Sequence, residues 1–330
     1  MKLIIPMAGR GTRVRPHSHV TPKPLLPVCG KSMVERIVDM FSSVLPRPIS
    51  EGVFILGPDF GPEVRTALTK VCEKHNAKAQ FAVQDVAKGT AHAVGCASEY
   101  LEGEGIVVFA DTLFYMNPGV DLTEADVVAW VKHVADPSAY GVAVREGDRI
   151  VKLVEKPQEL ISTEALIGIY YVKDLRVLKN SIQYLFDHKI TGVGDEYQLT
   201  DAFDLLLKEN KVFKTASVTE WLDCGNIKAL SETTQFILEH ENHTAKIDGV
   251  KVNPPVYIGE NVVVEGGEIG PHVSIESGAR ISGSTLSKTI VFANATVKNA
   301  TLTNSMIGRN ASVSDFSGRL NIGDHSEVSK

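Results

Sequence analysis

The residues best suited to chemistry lie near the start of the chain, in the segment AGRGTR that follows the apolar run LIIPM. Gly9 and Gly11 can bring backbone N–H groups close to a ligand, because glycine has no Cβ and adopts positive φ angles readily. Four cations lie on the same loop: Arg10, Arg13, Arg15 and Lys23. Backbone N–H groups and concentrated positive charge are what a polyphosphate requires. The segment therefore predicts a polyphosphate site directly after the first strand.

The elements that would position this loop alternate between strands and helices up to about residue 225. Residues 53–56 and 105–110 are apolar throughout, as in buried parallel strands. Apolar residues at helical spacing occur in four further segments: 33–44, 63–74, 90–100 and 227–243. This alternation predicts an α/β fold with a doubly wound, three-layer, mostly parallel sheet, in which ligands bind at the carboxyl ends of the strands.

The composition changes at about residue 256, where Gly, Ser, Asn, Ile and Val become dominant and helical patterns disappear. Aliphatic residues recur about every six positions, as at Ile269, Ile275 and Ile281, which predicts a parallel β-helix. The resemblance is to left-handed β-helix domains with hexapeptide repeats. The spacing is irregular between residues 284 and 300, so an irregular β-meander is the alternative. The predicted domains are residues 1–245 and 246–330, and the second is expected to serve assembly.

Composition excludes several classes of protein. A net charge of −6 in 330 residues argues against a nucleic-acid-binding protein. The four cysteines contain no C-x-x-C pair, which is typical of reduced thiols rather than of disulfides or zinc sites. No apolar run approaches the length of a membrane span, and the N-terminus lacks a signal-peptide pattern. The sequence thus predicts a cytoplasmic protein without a membrane partner.

The string G-x-G-T-R-x-R-P, followed by T-P-K-P-L-L-P-V, resembles the signature of the sugar-phosphate nucleotidyltransferases, which make nucleotide sugars. The resemblance extends over residues 1 to about 240. It implies that Arg13 binds the β- and γ-phosphates of a nucleoside triphosphate and that Lys23 lies beside the α-phosphate. Four further residues are implied in nucleotide binding: Ala8, Gly9, Gly11 and Thr12. Many family members have glycine at the position of Ala8, which leaves the branch of the family open.

A second segment, QDVAKGTAHA, resembles the family's base-recognition motif. It implies nucleotide-binding roles for Gln84, Gly89 and Thr90. A glutamine carboxamide offers one acceptor and one donor, which match the N3–H and O4 groups of thymine or uracil. His92 is expected to pack or to support another residue rather than to act as a base.

Two aspartates match the family's metal-binding positions. Asp111 follows a predicted buried strand, and Asp223 lies in the segment WLDCG. Two carboxylates at a triphosphate imply Mg²⁺, which prefers oxygen ligands shared between carboxylate and phosphate. The resemblance therefore assigns a Mg²⁺ cofactor to Asp111 and Asp223.

Three short segments resemble the family's sugar-phosphate side: YGV at 140–142, VEKP at 154–157 and LIGIY at 166–170. They imply that Glu155 accepts hydrogen bonds from sugar hydroxyls and that Lys156 binds the sugar phosphate. Gly141 and Gly168 are assigned to the same site, and the segment EYQLTD at 196–201 resembles a further family segment near the sugar.

These assignments describe a transfer in which a sugar-1-phosphate oxygen attacks the α-phosphorus and pyrophosphate leaves. Arg13, Lys23, Asp111, Lys156 and Asp223 are the expected catalytic residues. The favoured substrates are dTTP or UTP with glucose-1-phosphate, and the protein is expected to be a homo-oligomer. Three alternatives stay open: a mannose-1-phosphate guanylyltransferase, a bifunctional uridylyltransferase and acyltransferase, and a non-catalytic assembly subunit. The acyltransferase is disfavoured because His272 has no evident partner in the sequence.

Overall fold

The computed structural model describes residues 1–9 and 11–330, and within it the chain divides into two compact units. The first unit contains Met1–Gly9 and Ile37–Trp221, and the second contains Arg10–Arg36 and Leu222–Lys330. Arg10, one of the expected cations, lies outside the described residues. The loop predicted to bind phosphate therefore belongs mainly to the same unit as the C-terminal residues. The predicted domain boundary at residue 245 stays a prediction.

Among the described residues, thirteen strands precede residue 224. They are β1 (Lys2–Pro6), β2 (Pro27–Val28), β3 (Lys31–Ser32), β4 (Glu51–Leu56), β5 (Lys78–Val83), β6 (Gly105–Val108), β7 (Thr112–Tyr115), β8 (Val127–His133), β9 (Gly141–Glu146), β10 (Arg149–Glu155), β11 (Glu164–Val172), β12 (Phe213–Ser217) and β13 (Glu220–Asp223). The helices are α1 (Met33–Val44), α2 (Pro62–Glu73), α3 (Thr90–Gly95), α4 (Leu175–Asp187), α5 (Leu199–Lys208) and α6 (Ile227–His240).

The first unit is built on a nine-stranded sheet in the order β5-β4-β1-β6-β11-β8-β12-β10-β9. The strands β5, β4, β1 and β6 are parallel, whereas β11 is antiparallel to both of its neighbours. Beyond β11, β12 is parallel to β8, and β10 is antiparallel to β12 and β9. The expectation of a mostly parallel sheet is therefore wrong beyond β6, where the sheet is mixed. No α-helix occurs between β6 and α4 in the described chain, and parallel neighbours need such crossovers.

The predicted helices are confirmed with changes at their ends. Helix α1 has the predicted bounds, α2 begins one residue early, and α6 ends three residues before the expected position. The segment 90–100 is a short helix, α3, followed by a separate 3-10 helix over Ser98–Tyr100. Among the described residues, no helix is both long enough and apolar enough to cross a membrane.

The C-terminal residues form two long parallel sheets. Strands β14 to β26 are Lys251–Val252, Val256–Ile258, Val263–Ile269, Val273–Ile275, Arg280–Ser287, Thr289–Val291, Thr296–Lys298, Thr301–Thr303, Met306–Ile307, Ser312–Ser314, Ser317–Gly318, Asn321–Ile322 and Glu327–Ser329. The order β15-β17-β19-β22-β25 follows the chain, with every pair parallel. Strands from successive coils therefore stack in parallel, which is the pairing of a parallel β-helix, and its handedness stays a prediction.

The coils are shorter than a strict hexapeptide repeat requires. Val256 pairs with Val273, Val273 with Thr289, and Met306 with Asn321, so one coil takes about 16 residues rather than three full hexapeptides. Residues 285–287 pair regularly with 301–303. Residues 284–300, which lack a period of six, therefore form a regular turn of the β-helix. Their aliphatic residues Leu286 and Val297 lie in the buried core.

Candidate functional site

The first unit places Ala8 and Gly9 just beyond the carboxyl end of β1. The Met7 N–H donates to the Ile55 carbonyl at 2.9 Å, which continues the β1–β4 pairing to the start of this turn. Gly9 does not adopt a positive φ, so that expectation is wrong for this glycine. Apart from its chain neighbours, no atom of the described residues would lie within 4 Å of a methyl group built on Gly9. The backbone at Gly9 is therefore open rather than strained.

Gln84 is buried immediately after β5, and its amide nitrogen is engaged. The Gln84 Nε2 donates to His92 Nδ1 at 2.9 Å and to the Gly89 carbonyl at 3.4 Å. Burial lowers the pKa of His92, which favours the neutral imidazole that can accept this bond. His92 therefore supports Gln84 through this bond, and the expectation that it does not act as a base stays a prediction. Both Gln84 donors are used, so the acceptor Oε1 is the atom left for a ligand.

Gly89 and Thr90, at the start of α3, contact the segment 196–201. Gly89 has a φ of +102°, and a Cβ there would lie 2.5 Å from the Tyr197 carbonyl oxygen. The Thr90 Oγ1 donates to Gln198 Oε1 at 3.3 Å and accepts from the Leu199 N–H at 2.9 Å. The residues implied in base binding and those implied in sugar binding therefore share one hydrogen-bonded segment in the first unit.

We expect Gly89→Ala to lower stability and activity together, because the added Cβ collides with backbone that cannot rotate away. Gly147→Ala is the matched control, since Gly147 also has a positive φ (+63°) but a Cβ there meets nothing within 4 Å. Urea unfolding should show a loss several times larger for Gly89→Ala than the ~1 kcal/mol typical of backbone strain alone. Equal losses in the two variants would contradict the packing argument.

Three residues assigned to the sugar side contact one another at the ends of β9 and β10. A Cβ on Gly141 would lie 3.0 Å from Glu155 Oε2, so a side chain there would press on the carboxylate. Thr200 Oγ1 donates to the same Oε2 at 3.3 Å, and Lys156 Nζ lies 3.9 Å from Oε1. Burial raises the pKa of Glu155, while Lys156 and Thr200 oppose this shift. The cluster places one half-buried carboxylate and one exposed ammonium at the same point.

Asp111 lies in the turn between β6 and β7, and Gly168 of β11 supports this turn. The Phe109 N–H donates to the Gly168 carbonyl at 3.0 Å, and Thr112 Oγ1 donates to the Ile167 carbonyl at 3.0 Å. Gly168 has a φ of +81°, and a Cβ there would lie 2.5 Å from the Phe109 ring. The structure thus gives Gly168 a packing role beside the residues that lead to Asp111, and its assignment to the sugar stays a prediction.

The second unit contains the phosphate loop, which we define as residues 11–23. Gly11 has a φ of +58°, and a Cβ on it would lie 2.7 Å from Lys23 Cβ. The Ser18 Oγ donates to the Gly11 carbonyl at 2.7 Å. Lys23 is only 7% exposed, whereas Thr12 and Arg13 are exposed in a 3-10 helix (Thr12–Val14). Only glycine at position 11 allows the buried stem of Lys23 to pack against this turn.

Asp223 is the last residue of β13, directly before α6. Its Oδ1 accepts the Gly225 N–H at 2.7 Å, and Thr233 of α6 donates to its carbonyl at 2.8 Å. Asp111 and Asp223 are both partly exposed and supply the oxygen donors that Mg²⁺ prefers. In the described chain, no group of three or more His, Cys, Asp or Glu side chains could hold a metal by itself. Each carboxylate by itself offers oxygen ligands of the kind that Mg²⁺ prefers, and the assignment of one Mg²⁺ ion to both aspartates stays a prediction.

Three contacts were not predicted from the sequence: Thr200 with Glu155, Gln198 with Thr90, and His272 with Glu239. Thr200 and Gln198 lie in the segment EYQLTD, which resembles a family segment near the sugar. That resemblance could have indicated both residues. His272, by contrast, does have a partner, because its Nε2 lies 2.6 Å from Glu239 Oε1 of α6. The expectation that His272 stands alone is wrong, since 33 residues separate the two in sequence and only the fold brings them together.

Residues 2–240 match the family model described as "Nucleotidyl transferase". The chain belongs to this family. A glucose-1-phosphate thymidylyltransferase from Streptomyces antibioticus is 26% identical over 99% of both chains. A bifunctional protein GlmU from Methanocaldococcus jannaschii is 29% identical over 82% of this chain and 61% of its own length. This nucleotidyl transferase thus spans about three-fifths of the length of that bifunctional relative.

Two solved structures share the fold of this nucleotidyl transferase. A putative glucose-1-phosphate thymidylyltransferase from Bacillus anthracis, in complex with a sucrose, has a TM-score of 0.58 at 23% identity and covers 71% of this chain and 94% of its own. A UDP-glucose pyrophosphorylase complexed with UDP-glucose has a TM-score of 0.57 at 21% identity, with coverage of 72% and 98%. At these identities the likeness concerns the fold alone.

Proposed function

We propose that this chain transfers a nucleoside monophosphate from a nucleoside triphosphate to a sugar-1-phosphate. A sugar-phosphate oxygen forms a bond to the α-phosphorus, the bond from the α-phosphorus to the bridging oxygen breaks, and pyrophosphate leaves. The nucleophile is already an anion, so the reaction needs no general base. The observation that carries the proposal is the phosphate loop, in which Gly11 accommodates the buried stem of Lys23, in a chain that belongs to the nucleotidyl transferase family.

The residues divide into charge-neutralising and positioning groups. Arg13 and Lys23 bind the triphosphate, and Lys156 binds the sugar phosphate beside Glu155, which accepts from sugar hydroxyls. Asp111 and Asp223 would hold Mg²⁺, which, when bound, neutralises charge on the phosphates. Catalysis then comes from positioning two anions that repel each other and from stabilising the charge on the α-phosphoryl group.

The nucleotide is a pyrimidine, with dTTP favoured over UTP. In the structure the Gln84 donors are engaged by His92 and Gly89, so its free acceptor suits the N3–H of thymine or uracil. We expect Gln84→Ala to raise the KM for dTTP or UTP by about tenfold or more, because one buried hydrogen bond is lost. The KM for the sugar-1-phosphate should change less than twofold. Lys88→Ala, in the same segment, is the control. A purine preference in the wild-type protein would contradict the base assignment.

The experiment that tests the proposed function is pyrophosphate release over a matrix of triphosphates and sugar-1-phosphates. Four triphosphates (dTTP, UTP, GTP and ATP) are combined with four sugars (the 1-phosphates of glucose, mannose, galactose and N-acetylglucosamine), each with and without Mg²⁺. We expect the fastest release with dTTP and glucose-1-phosphate in Mg²⁺. A preference for GTP with mannose-1-phosphate would favour the guanylyltransferase alternative. No release in any combination would overturn the proposal and favour a non-catalytic subunit.

The bifunctional alternative has one observation in its favour. His272 and Glu239 form a pair at 2.6 Å, and a carboxylate orients an imidazole that acts as a base. To test this alternative, the protein is incubated with acetyl-coenzyme A and glucosamine-1-phosphate, and the release of free thiol is measured. Thiol release would support an acyltransferase activity. We favour assembly into a homo-oligomer as the other role of the β-helix, which light scattering on the full chain would test.

A further inference from the structure

The phosphate loop contains a buried histidine that contacts the end of the β-helix. His17 is 1% exposed, and its Nε2 lies 2.6 Å from Asn321 Oδ1 of β25. The His17 ring also packs on Phe292, with 5.1 Å between the ring centroids. These residues are some 300 positions apart in sequence but lie in the same compact unit. The loop is therefore held by a specific polar contact to the β-helix.

The hydrogen bond to Asn321 fixes which ring nitrogen of His17 acts as the donor. A carboxamide oxygen only accepts, so Nε2 carries a proton and donates it to Asn321 Oδ1. Nδ1 is buried and has no hydrogen-bond partner among the described residues, so a second proton there would have no acceptor. Burial lowers the pKa of His17, and the hydrogen bond to Asn321 and the negative charge of Asp324 only partly offset this shift. The burial of His17 and the lack of an acceptor at Nδ1 both favour a neutral imidazole that donates from Nε2.

Two further contacts join the same stretch of loop to neighbouring coils. A Cβ built on Gly323 would lie 2.9 Å from Pro16 Cβ, so the loop lies directly against that coil. Arg309 Nη1 donates to Thr21 Oγ1 at 3.4 Å. We call the four β-helix residues that touch residues 16–21 the terminal-coil patch: Phe292, Arg309, Asn321 and Gly323. The patch thus contacts both ends of this stretch, at Pro16 and His17 and at Thr21.

The stretch held by the patch lies between the two cations assigned to the triphosphate. Arg13 is three residues before Pro16, and Lys23 is two residues after Thr21. Ser18, next to His17, is bonded to the Gly11 carbonyl, and Gly11 packs on Lys23. A displacement of His17 would therefore be transmitted to Lys23 through Ser18 and Gly11.

We propose that the terminal-coil patch is a positioning element for nucleotide binding, with Asn321 and His17 as its positioning residues. This inference rests on the proposed function for its kinetic consequence. It gives the β-helix a role within one subunit, in addition to any role in assembly. Neither residue takes part in bond formation, since both act by fixing where Arg13 and Lys23 lie.

The test compares Asn321→Ala with Glu327→Ala, an exposed position on the last strand of the same β-helix. We expect Asn321→Ala to raise the KM for the nucleoside triphosphate by about tenfold, the effect of losing one partly buried hydrogen bond to the buried His17. The KM for the sugar-1-phosphate should stay within twofold, and Glu327→Ala should match the wild type. Hydrogen exchange of the amides between residues 12 and 21 should become faster only in Asn321→Ala.

Two additional variants separate positioning from general destabilisation. Asn321→Asp keeps an oxygen acceptor. Its KM for the triphosphate should therefore lie within about threefold of the wild-type value at pH 8. Its negative charge favours protonated His17, so the acid limb of kcat/KM should move to higher pH. Gly323→Ala leaves the hydrogen bond in place but displaces Pro16, and should also raise the triphosphate KM.

The outcomes distinguish this inference from the proposed function. If the wild type transfers nucleotide but Asn321→Ala and Gly323→Ala keep its triphosphate KM and its exchange rates, the positioning role is overturned. If both KM values rise together and Asn321→Asp does not rescue, the patch is merely structural and the inference is again overturned. A wild type without transfer activity would overturn the proposed function, while exchange at residues 12–21 would still report whether the patch holds the loop.

Discussion

Asp111→Asn and Asp223→Asn are each expected to lower kcat by about 100-fold or more, on the order of 3 kcal/mol of transition-state stabilisation. Each change removes one negative charge that would hold Mg²⁺ at the triphosphate. The asparagine that replaces Asp223 keeps an oxygen that can accept the Gly225 N–H, so the turn before α6 should persist. Rates measured across a Mg²⁺ titration should show a higher Mg²⁺ requirement for both variants.

Asp136→Asn is the matched control for this pair. Asp136 also accepts an N–H two residues on, from Ser138 at 3.0 Å, but it lies exposed outside the assigned site. Its rate and its Mg²⁺ requirement should equal those of the wild type. The metal assignment would be wrong if Asp111→Asn and Asp223→Asn behaved like Asp136→Asn.

Lys23→Met is expected to lower kcat by about 100-fold as well, because a cation beside the α-phosphate stabilises charge that develops during transfer. Methionine retains a long apolar stem, so the packing of residue 23 against Gly11 should be kept. The loss should appear chiefly in kcat, with a smaller rise in the KM for the triphosphate. Single-turnover measurements would separate the chemical step from product release.

Lys31→Met, eight residues further along the chain, controls for the loss of a positive charge from the same unit. Lys31 lies exposed in β3 and has no assigned role in the reaction. Its variant should keep the wild-type rate. Comparable losses in the two variants would show that overall charge, rather than the position of Lys23, determines the rate.

Much of the fold was predictable because its signals are local. Apolar runs give β4 and β6, helical spacing gives α1 and α6, and a change of composition marks the β-helix. The direction of β11 was not predictable, because strand pairing depends on which segments meet in space rather than on apolar pattern. The same applies to the coil length of about 16 residues, which is set by turns that need not keep a period of six.

The candidate site shows the same limit. Gly11, Lys23 and Gln84 could be singled out from motifs, and Gly11 has the predicted positive φ. The positive φ expected at Gly9 is wrong, since a glycine in a motif can serve open access as well as a tight turn. The contact between His17 and Asn321 had no signal in the sequence, because it joins two segments that share no motif.

The most direct test of nucleotidyl transfer follows the phosphate oxygens. Glucose-1-phosphate carrying ¹⁸O in its phosphate is incubated with dTTP, Mg²⁺ and the full chain, and the products are analysed by ³¹P NMR and mass spectrometry. Attack of the sugar phosphate on the α-phosphorus predicts that all of the label appears in the nucleotide sugar and none in pyrophosphate. Label in pyrophosphate, or hydrolysis of dTTP without a nucleotide sugar for any sugar-1-phosphate tested, would contradict the account.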